Sequence, residues 1–396
     1  MHVGINAQLL SLSQNYRNGG VSRYIRYLLT ELANNPGEHK YTVYVNVQDV
    51  IEHLNVQHPQ ITYISAPWSE SRPIERVLWE QRALPSLVKQ QHIDVLHSPV
   101  NVLPIRIPHH CATVITLHDL AFLRYPEVLT RAKSIYHRLF TIRSLRRATK
   151  IITVSESTKR DAHDLVGIPL DHMHTVYPCI DKRFTNVTEI EKIQAFRQQQ
   201  GLAGGYILYL GTLEPRKNII TLIDAYQKLR QEHGIREKLV LAGSKGWLYD
   251  AIFARVHDLG LEAEVIFPGF VADSEQALWY QAASVFAYPS LYEGFGIPVA
   301  EALACGTPVV TSNVSSLPEA GGEIALCVDR QSVEALSKAL YQALTDKNLR
   351  EKSRTQAASV AQKFSAQIMV QQTIRVYERA ADALLTQNKR HVAFVS

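Results

Sequence analysis

The sequence predicts an α/β protein built from two doubly wound halves. Apolar strand-like runs alternate with helix-length segments through the first half, the signature of a mostly parallel sheet covered on both faces. The alternation restarts after Tyr177-Pro178 and a polar stretch, which places a linker at about residues 178–191. At 396 residues the chain is long enough for two domains with a sizeable core each. With 46% hydrophobic and 20% charged residues it has the balance of an ordinary globular protein. No apolar run reaches the roughly 18–20 residues that span a bilayer, and Met1 leads within two residues into a strand-like run, so no signal peptide is expected. Cys111, Cys179, Cys305 and Cys327 stand far apart with no metal or redox spacing, so they are expected to be reduced in a cytoplasmic protein.

In the first half, strands are expected at residues 2–7, 41–47, 61–64, 93–97, 112–117 and 151–154, and helices at 21–33, 74–89 and 130–147. Ligands of such sheets bind beyond the carboxyl ends of the strands, so the loops there matter most. The first of these loops, residues 8–20, ends in Asn18-Gly19-Gly20 at the start of a helix. Gly19 and Gly20 can offer backbone amides to a phosphate, although a glycine pair before a helix also fits plain turn chemistry. A full Gly-x-Gly-x-x-Gly fingerprint with its ribose-binding acid is absent, which argues against a dehydrogenase. The strand at 112–117 runs into His118-Asp119, where a histidine is well placed to meet a substrate and Asp119 to orient it or raise its pKa. With 16 histidines in the chain, a structural role for it stays open.

Between Arg124 and Lys150 eight basic side chains face one acidic residue, Glu127. Interleaved Ile135, Tyr136, Leu139, Phe140, Ile142 and Leu145 suggest a helix with one apolar and one basic face. Such a helix fits either a core element with a solvated basic side or a surface meeting anionic lipid head groups or a lipid-diphosphate acceptor. Residues 1–185 carry 21 Lys and Arg against 15 Asp and Glu, whereas residues 186–396 carry 21 against 22, so the excess lies in the first half. Nothing in the sequence carries the marks of a nucleic-acid binder, neither zinc-finger spacing nor aromatic-basic alternation.

The second half opens with a strand at 206–210, followed by Gly211-Thr212-Leu213-Glu214-Pro215-Arg216-Lys217-Asn218 and a helix from 219. Adjacent Arg216 and Lys217 after a strand can clamp a diphosphate. Strands follow at 238–242, 264–267 and 284–288, with Gly243-Ser244 and Pro268-Gly269-Phe270-Val271 at strand ends. After residue 311 the pattern turns to helices at 333–344, 349–364 and 366–385.

The stretch from Tyr288 to Thr311 is the most informative. A strand enters a loop holding Gly294 and Gly296, then a short helix with Pro298 in its first turn and Gly306 past its end, then another strand. Glu293 precedes the helix and Glu301 lies a turn inside it, so two carboxylates and a row of amide donors can serve a polyhydroxylated, phosphate-bearing ligand. By spacing alone the two glutamates also fit solvated charges on a surface helix. Glu293, Gly294, Phe295, Gly296, Pro298, Glu301, Ala302, Gly306, Pro308 and Val309 together resemble the signature of the retaining nucleotide-sugar glycosyltransferases that include sucrose synthases and bacterial mannosyltransferases.

That resemblance covers nearly the whole chain and implies a GT-B architecture: two doubly wound, Rossmann-like domains facing across a cleft. It places an acceptor-binding domain at residues 1–185, a donor-binding domain at 186–365, and a last helix, about 366–396, packing back on the first. By carry-over, Lys217 and Arg216 neutralise the diphosphate leaving group, with Thr212 standing where many relatives have an arginine. Glu301 accepts from the ribose, and Glu293 with the amides of Gly294, Phe295, Gly296 and Ile297 holds the sugar hydroxyls. Gly19 and Gly20 reach the diphosphate, Gly243 and Val271 lie where phosphate and nucleobase are held, and His118 contacts the transferred hexose. The strings at 117–127 and 270–273 resemble enzymes using GDP-mannose in surface-polysaccharide synthesis, which makes mannosyl transfer to a saccharide or lipid-linked saccharide the first expectation. A UDP-hexose donor, an epimerase of the same architecture, or a silent nucleotide-sugar sensor are the alternatives. Apart from the nucleotide-sugar co-substrate no cofactor is expected, and the absence of any Asp-x-Asp agrees with a metal-independent reaction.

Overall fold

The computed structural model describes residues 1–11, 19–46, 56–66, 73–125, 131–186 and 188–395. Asn18 of the first loop, the expected strand end at 47, Glu127, the expected helix start at 130 and Ser396 lie outside them. The chain divides into two compact units, Met1–Cys179 with Ala366–Ser396, and Ile180–Ser365.

The first unit is a seven-stranded sheet: β1 His2–Asn6, β2 Lys40–Val45, β3 Ile61–Ser65, β4 Val95–Ser98, β5 Ala112–Leu117, β6 Lys150–Thr153 and β7 Met173–Thr175, in the order β3-β2-β1-β4-β5-β6-β7. Every neighbouring pair is parallel. Such a sheet needs helices on both faces, and its central strands β1, β4 and β5 are accordingly buried nearly end to end rather than at alternate residues. Along β5, Val114 joins the core under helix α1 (Gly20–Asn34) and the terminal helix Ala366–Val395, while Ile115 and Leu117 point to the opposite core with Leu145 and Ala162. Helix α2 (Pro73–Gln90) adds Leu84 and Val88 to a third cluster against Tyr44 and Leu96. The sequence pattern does not announce β7, because three residues at a sheet edge carry too short a period to register.

Helix α3 (Arg131–Arg147) departs from the expected division into an apolar and a basic face. It buries Thr141, Ser144 and Leu145 and exposes Ile135 and Leu139 beside Arg138, Arg143, Arg146 and Arg147. Of the two hydroxyls on the inner face, Ser144 Oγ donates to the Phe140 carbonyl (2.7 Å) and accepts from the Leu103 amide (2.9 Å), whereas Thr141 Oγ1 is buried without a hydrogen-bond partner. Arg124, part of the same basic run, is engaged within the unit, its Nη2 lying 2.6 Å from Oδ1 of buried Asp161. The next helix, α4 (Glu156–Val166), begins at Ser155, whose side chain caps the Thr158 amide, and ends at left-handed Gly167.

The second unit holds β8 Tyr206–Leu210, β9 Lys238–Ala242, β10 Val265–Gly269, β11 Val285–Tyr288, β12 Val309–Ser312 and β13 Leu326–Val328, all parallel, in the order β10-β9-β8-β11-β12-β13. Its helices include α5 (Ile190–Gln199), α6 (Ile219–His233), α7 (Asp250–Asp258), α8 (Gln276–Ala282), α9 (Ile297–Ala304), α10 (Val333–Thr345) and α11 (Lys347–Lys363). The short edge strand β13 falls in the stretch expected to be helical, a correction with the same cause as β7. In each sheet the winding reverses once, between β1 and β4 in the first and between β8 and β11 in the second, and the loops leaving those strands open the crevice where such folds bind ligands.

Candidate functional site

At the switch point of the second sheet, the loop after β8 carries Arg216 and Lys217 and the loop after β11 carries Glu293. Lys217 Nζ donates to Glu293 Oε1 at 2.6 Å and to the hydroxyl of Tyr288, the last residue of β11, at 2.8 Å. Arg216 Nη1 reaches Glu293 Oε2 at 3.2 Å and the Tyr292 carbonyl at 2.8 Å, while its Nε and Nη2 donate to Glu214 Oε1 at 3.2 and 3.0 Å. Lys217 and Glu293 are both buried. Burial alone would raise the Glu293 carboxyl, but the Lys217 and Arg216 charges outweigh it and hold the pKa at about 2. The same burial pulls the Lys217 ammonium below its ordinary value, against the attraction of Glu293. Two cations thus face two carboxylates in a preformed polar cluster.

The loops are fixed from behind. Asn218 takes a left-handed conformation (φ 58°) between the Pro215–Lys217 turn and α6, which an asparagine accepts more readily than most residues. Its Nδ2 donates to the carbonyls of Pro289 (3.1 Å) and Arg330 (2.7 Å). The Leu291 amide donates to the Arg216 carbonyl at 2.9 Å, and Arg330 Nη1 to the Leu291 carbonyl at 2.7 Å. Ser316 Oγ donates to the Glu293 carbonyl at 2.9 Å and Ser315 Oγ accepts from its amide at 3.0 Å. Hydrogen bonds over sequence separations of 22 to 112 residues therefore set the carboxylate's position.

The other expected residues of this unit fall around the cluster in different ways. Gly296 starts α9 at φ 96° with no side-chain cap, and a Cβ there would lie 2.8 Å from Leu317 Cδ2. Phe295 turns its ring inward, edge-on to Phe364 at 5.2 Å, and Gly294 is buried, so this segment and Ile297 offer a ligand chiefly backbone. Glu301 is fully buried and accepts from the Tyr280 hydroxyl at 3.1 Å. The Thr212 carbonyl accepts from Tyr209 OH at 2.9 Å, and Gly243 abuts Gly211 so closely that a Cβ would collide with the Gly211 carbonyl. Val271 is buried, whereas its neighbour Phe270 is exposed on the loop after β10.

Gly19, Gly20 and His118 belong to the first unit. Gly19 caps α1 without a side-chain partner, and nothing lies within 4 Å of where a Gly20 Cβ would stand. His118 follows β5, its Nε2 donating to the Pro99 carbonyl at 3.0 Å and its ring edge-on to Tyr24 at 5.3 Å. Asp119, expected to orient it or raise its pKa, accepts from the Ala121 amide at 3.0 Å. Burial lowers the His118 pKa, and the opposing pulls of the Pro99 carbonyl and Asp119 are the smaller influences, so the net direction is opposite to the expectation. Beneath it lies a histidine the sequence did not single out. His97 is fully buried, 2.6 Å from Tyr377 OH and 2.8 Å from Thr116 Oγ1, and burial pushes its pKa down to about 3.

Glu214, Tyr288, Asn218 and Arg330 are likewise additions. Glu214 and Asn218 sit within the Gly211–Asn218 string and Tyr288 at a strand end, positions that invite attention. Arg330 gave no local signal, since its contacts lie 39 and 112 residues away.

The two parallel sheets define the class: they form the GT-B architecture of glycosyltransferases. The structure of HepE from Anabaena, solved in complex with UDP-glucose, matches at a TM-score of 0.73 over 96% of this chain and 100% of that one, with 18% identity. The Glycosyltransferase Family 4 model matches residues 18–184 and the Glycosyl transferases group 1 model residues 192–360. O-antigen chain mannosyltransferase B of Escherichia coli is 35% identical over 284 residues, 72% of this chain and 74% of that protein. Serotype-specific mannosyltransferase WbdA of Escherichia coli is 31% identical over 222 residues, which span 55% of this chain and 27% of that longer protein. The chain belongs to the family 4 glycosyltransferases.

Proposed function

We propose that the protein transfers mannose from GDP-mannose to a saccharide or lipid-linked saccharide, with retention of configuration, in the cytoplasmic assembly of a surface polysaccharide. The observation that carries this reading is the Lys217–Arg216–Glu293 cluster at the switch point of the second sheet. The mannosyltransferase relatives support the choice of sugar.

As the bond between sugar and nucleotide breaks, negative charge collects on the departing diphosphate. Lys217 and Arg216 stabilise it from a fixed position, aided by the uncapped start of α9 and by Gly19 and Gly20 at the start of α1. Glu293, held ionised, is an acceptor only, which suits sugar hydroxyls as donors. Glu301 serves the ribose and requires Tyr280 to share its carboxylate. Neutral His118 serves the transferred hexose, and Thr212, Gly243 and Val271 contribute backbone to phosphate and base. No metal takes part, and the nucleotide sugar is the co-substrate. UDP-hexose transfer is the second reading, favoured by the UDP-glucose complex of the fold relative.

Incubating the enzyme with a mannose-bearing glycan and a panel of GDP- and UDP-sugars in EDTA tests this directly. The expected result is α-linked product from GDP-mannose alone. Product only from UDP-sugars would replace the donor, turnover without acceptor would favour an epimerase, and an inverted anomer would sink the retaining mechanism.

A further inference from the structure

The second unit holds a cavity of about 680 Å³ in which the Lys217 cluster takes no part. Ala283 and Ser284, just before β11, and Thr307 and Pro308, just before β12, line its floor. It therefore lies at the amino ends of these strands, whereas Glu293 follows the carboxyl end of β11. Helix α11 forms one wall, and α5 with residues 184–186 forms the other. Both walls are pinned to the floor. Gln281 Nε2 donates to the Asn186 carbonyl at 2.6 Å and its Oε1 accepts from the Thr188 amide at 3.1 Å. Thr307 Oγ1 donates to the Tyr280 carbonyl at 2.7 Å, and Cys305 Sγ to the Phe184 carbonyl at 3.4 Å. A preformed space of this volume is the size of a small-molecule site.

Three arginines line it: Arg197 from α5, and Arg350 and Arg354 from α11. The latter two follow one another at i, i+4, a spacing at which like charges destabilise a helix unless an anion sits between them. Among the described residues no carboxylate pairs with any of the three, and Glu189, just before α5, is held by Lys192 at 3.0 Å. Arg197 is held in place by its Nε, which donates to the Ala282 carbonyl at 2.7 Å. The end of α9 does not account for the arginines of α11. Its carbonyls at Glu301, Ala302 and Leu303 already accept from the amides of Cys305, Thr307 and Gly306. Beside these cations stand apolar side chains, Ile190 (67% exposed), half-buried Ile193, Ala283 and Pro308.

We infer that this cavity binds a small organic phosphate monoester, its phosphate on Arg350, Arg354 and Arg197 and its body against Ile190, Ile193 and Pro308. Charge selects the head group. A phosphate monoester carries about −1.5 to −2 charge at pH 7 and three acceptor oxygens, enough to serve three guanidinium groups, whereas a carboxylate brings one charge and two oxygens. The apolar wall selects an organic ester, since inorganic phosphate would leave the isoleucines in water. Because the cavity and the Lys217 cluster lie at opposite ends of the strands, its ligand need not compete with a nucleotide sugar, and the inference stands apart from the donor reading.

Calorimetric titration of the full chain with phenyl phosphate, inorganic phosphate and phenol tests it. Phenyl phosphate is expected to bind at one site, more weakly as salt rises, with inorganic phosphate at least tenfold weaker and phenol silent. R350A/R354A should lower the phenyl phosphate affinity by roughly 100-fold, at about tenfold per charge-assisted contact, and R350K/R354K should recover part of it. I190S/I193S should bring phenyl phosphate down toward inorganic phosphate. Arg354 and Ile190 are exposed and Arg350 and Ile193 half-buried, so the variants should melt with the wild type. Absence of phenyl phosphate binding, equal affinity for inorganic and phenyl phosphate, or an affinity unchanged in R350A/R354A would each overturn the proposal.

Discussion

Lys217 and Glu293 stand 76 positions apart, and each was legible from its own loop: one as a basic residue after a strand, the other within a glycine-rich helix start. Their mutual contact was not legible, because it depends on which strands are neighbours, and β8 and β11 meet only through the winding of the sheet. The contact has a measurable consequence. The Glu293 carboxyl takes up its proton near pH 4.5 when unfolded and near 2 when folded, so the stability it contributes is complete above about 4.5 and is lost as pH falls toward 2. The shift corresponds to roughly 3 kcal/mol for this buried group. Acid unfolding of the wild type and of Glu293→Gln checks this: the variant should be less stable at pH 7 and should show a flatter acid limb. A Glu293→Gln profile parallel to the wild type's would remove the ion pair from the explanation. Removing Lys217 instead strands a buried carboxylate, which typically costs about 3–5 kcal/mol, so Lys217→Ala should lower stability as well as turnover.

Among the elements, the long apolar strands and the helices around them were legible because burial on both faces leaves a continuous apolar run. The edge strands β7 and β13 were not, being too short to show any pattern. The pattern predicts helix α3 but not which of its faces is buried. Ser144 satisfies its hydroxyl within the fold, whereas Ile135 and Leu139 remain outside, so hydrophobicity alone does not identify the buried side. Gly243 shows a constraint of another kind: after β9 it takes φ 142° against the Gly211 backbone. Gly243→Ala must push the two loops apart, and a loss of roughly 1–3 kcal/mol with weaker nucleotide binding is expected from chemical denaturation and calorimetric titration. An alanine variant of unchanged stability and affinity would mean that the loops move freely there.

Over the whole molecule, the residues assigned to the donor diphosphate in the second unit and the histidine assigned to the sugar in the first are separate pieces of one proposed reaction. The sequence carried their types and strand positions well. It missed the support beneath them, such as His97 between Tyr377 of the terminal helix and Thr116 of β5, because such contacts join segments up to 280 residues apart. The first measurement to make is a thermal-shift series with GDP-mannose, GDP, UDP-glucose and UDP on the wild type and on Lys217→Ala. A ligand that binds only the folded chain at 100 times its dissociation constant adds about 2.7 kcal/mol. Stabilisation by the guanine pair, absent in Lys217→Ala, is the expected result; no stabilisation by any of the four, or an equal gain in the variant, would contradict a diphosphate held by the Lys217 cluster.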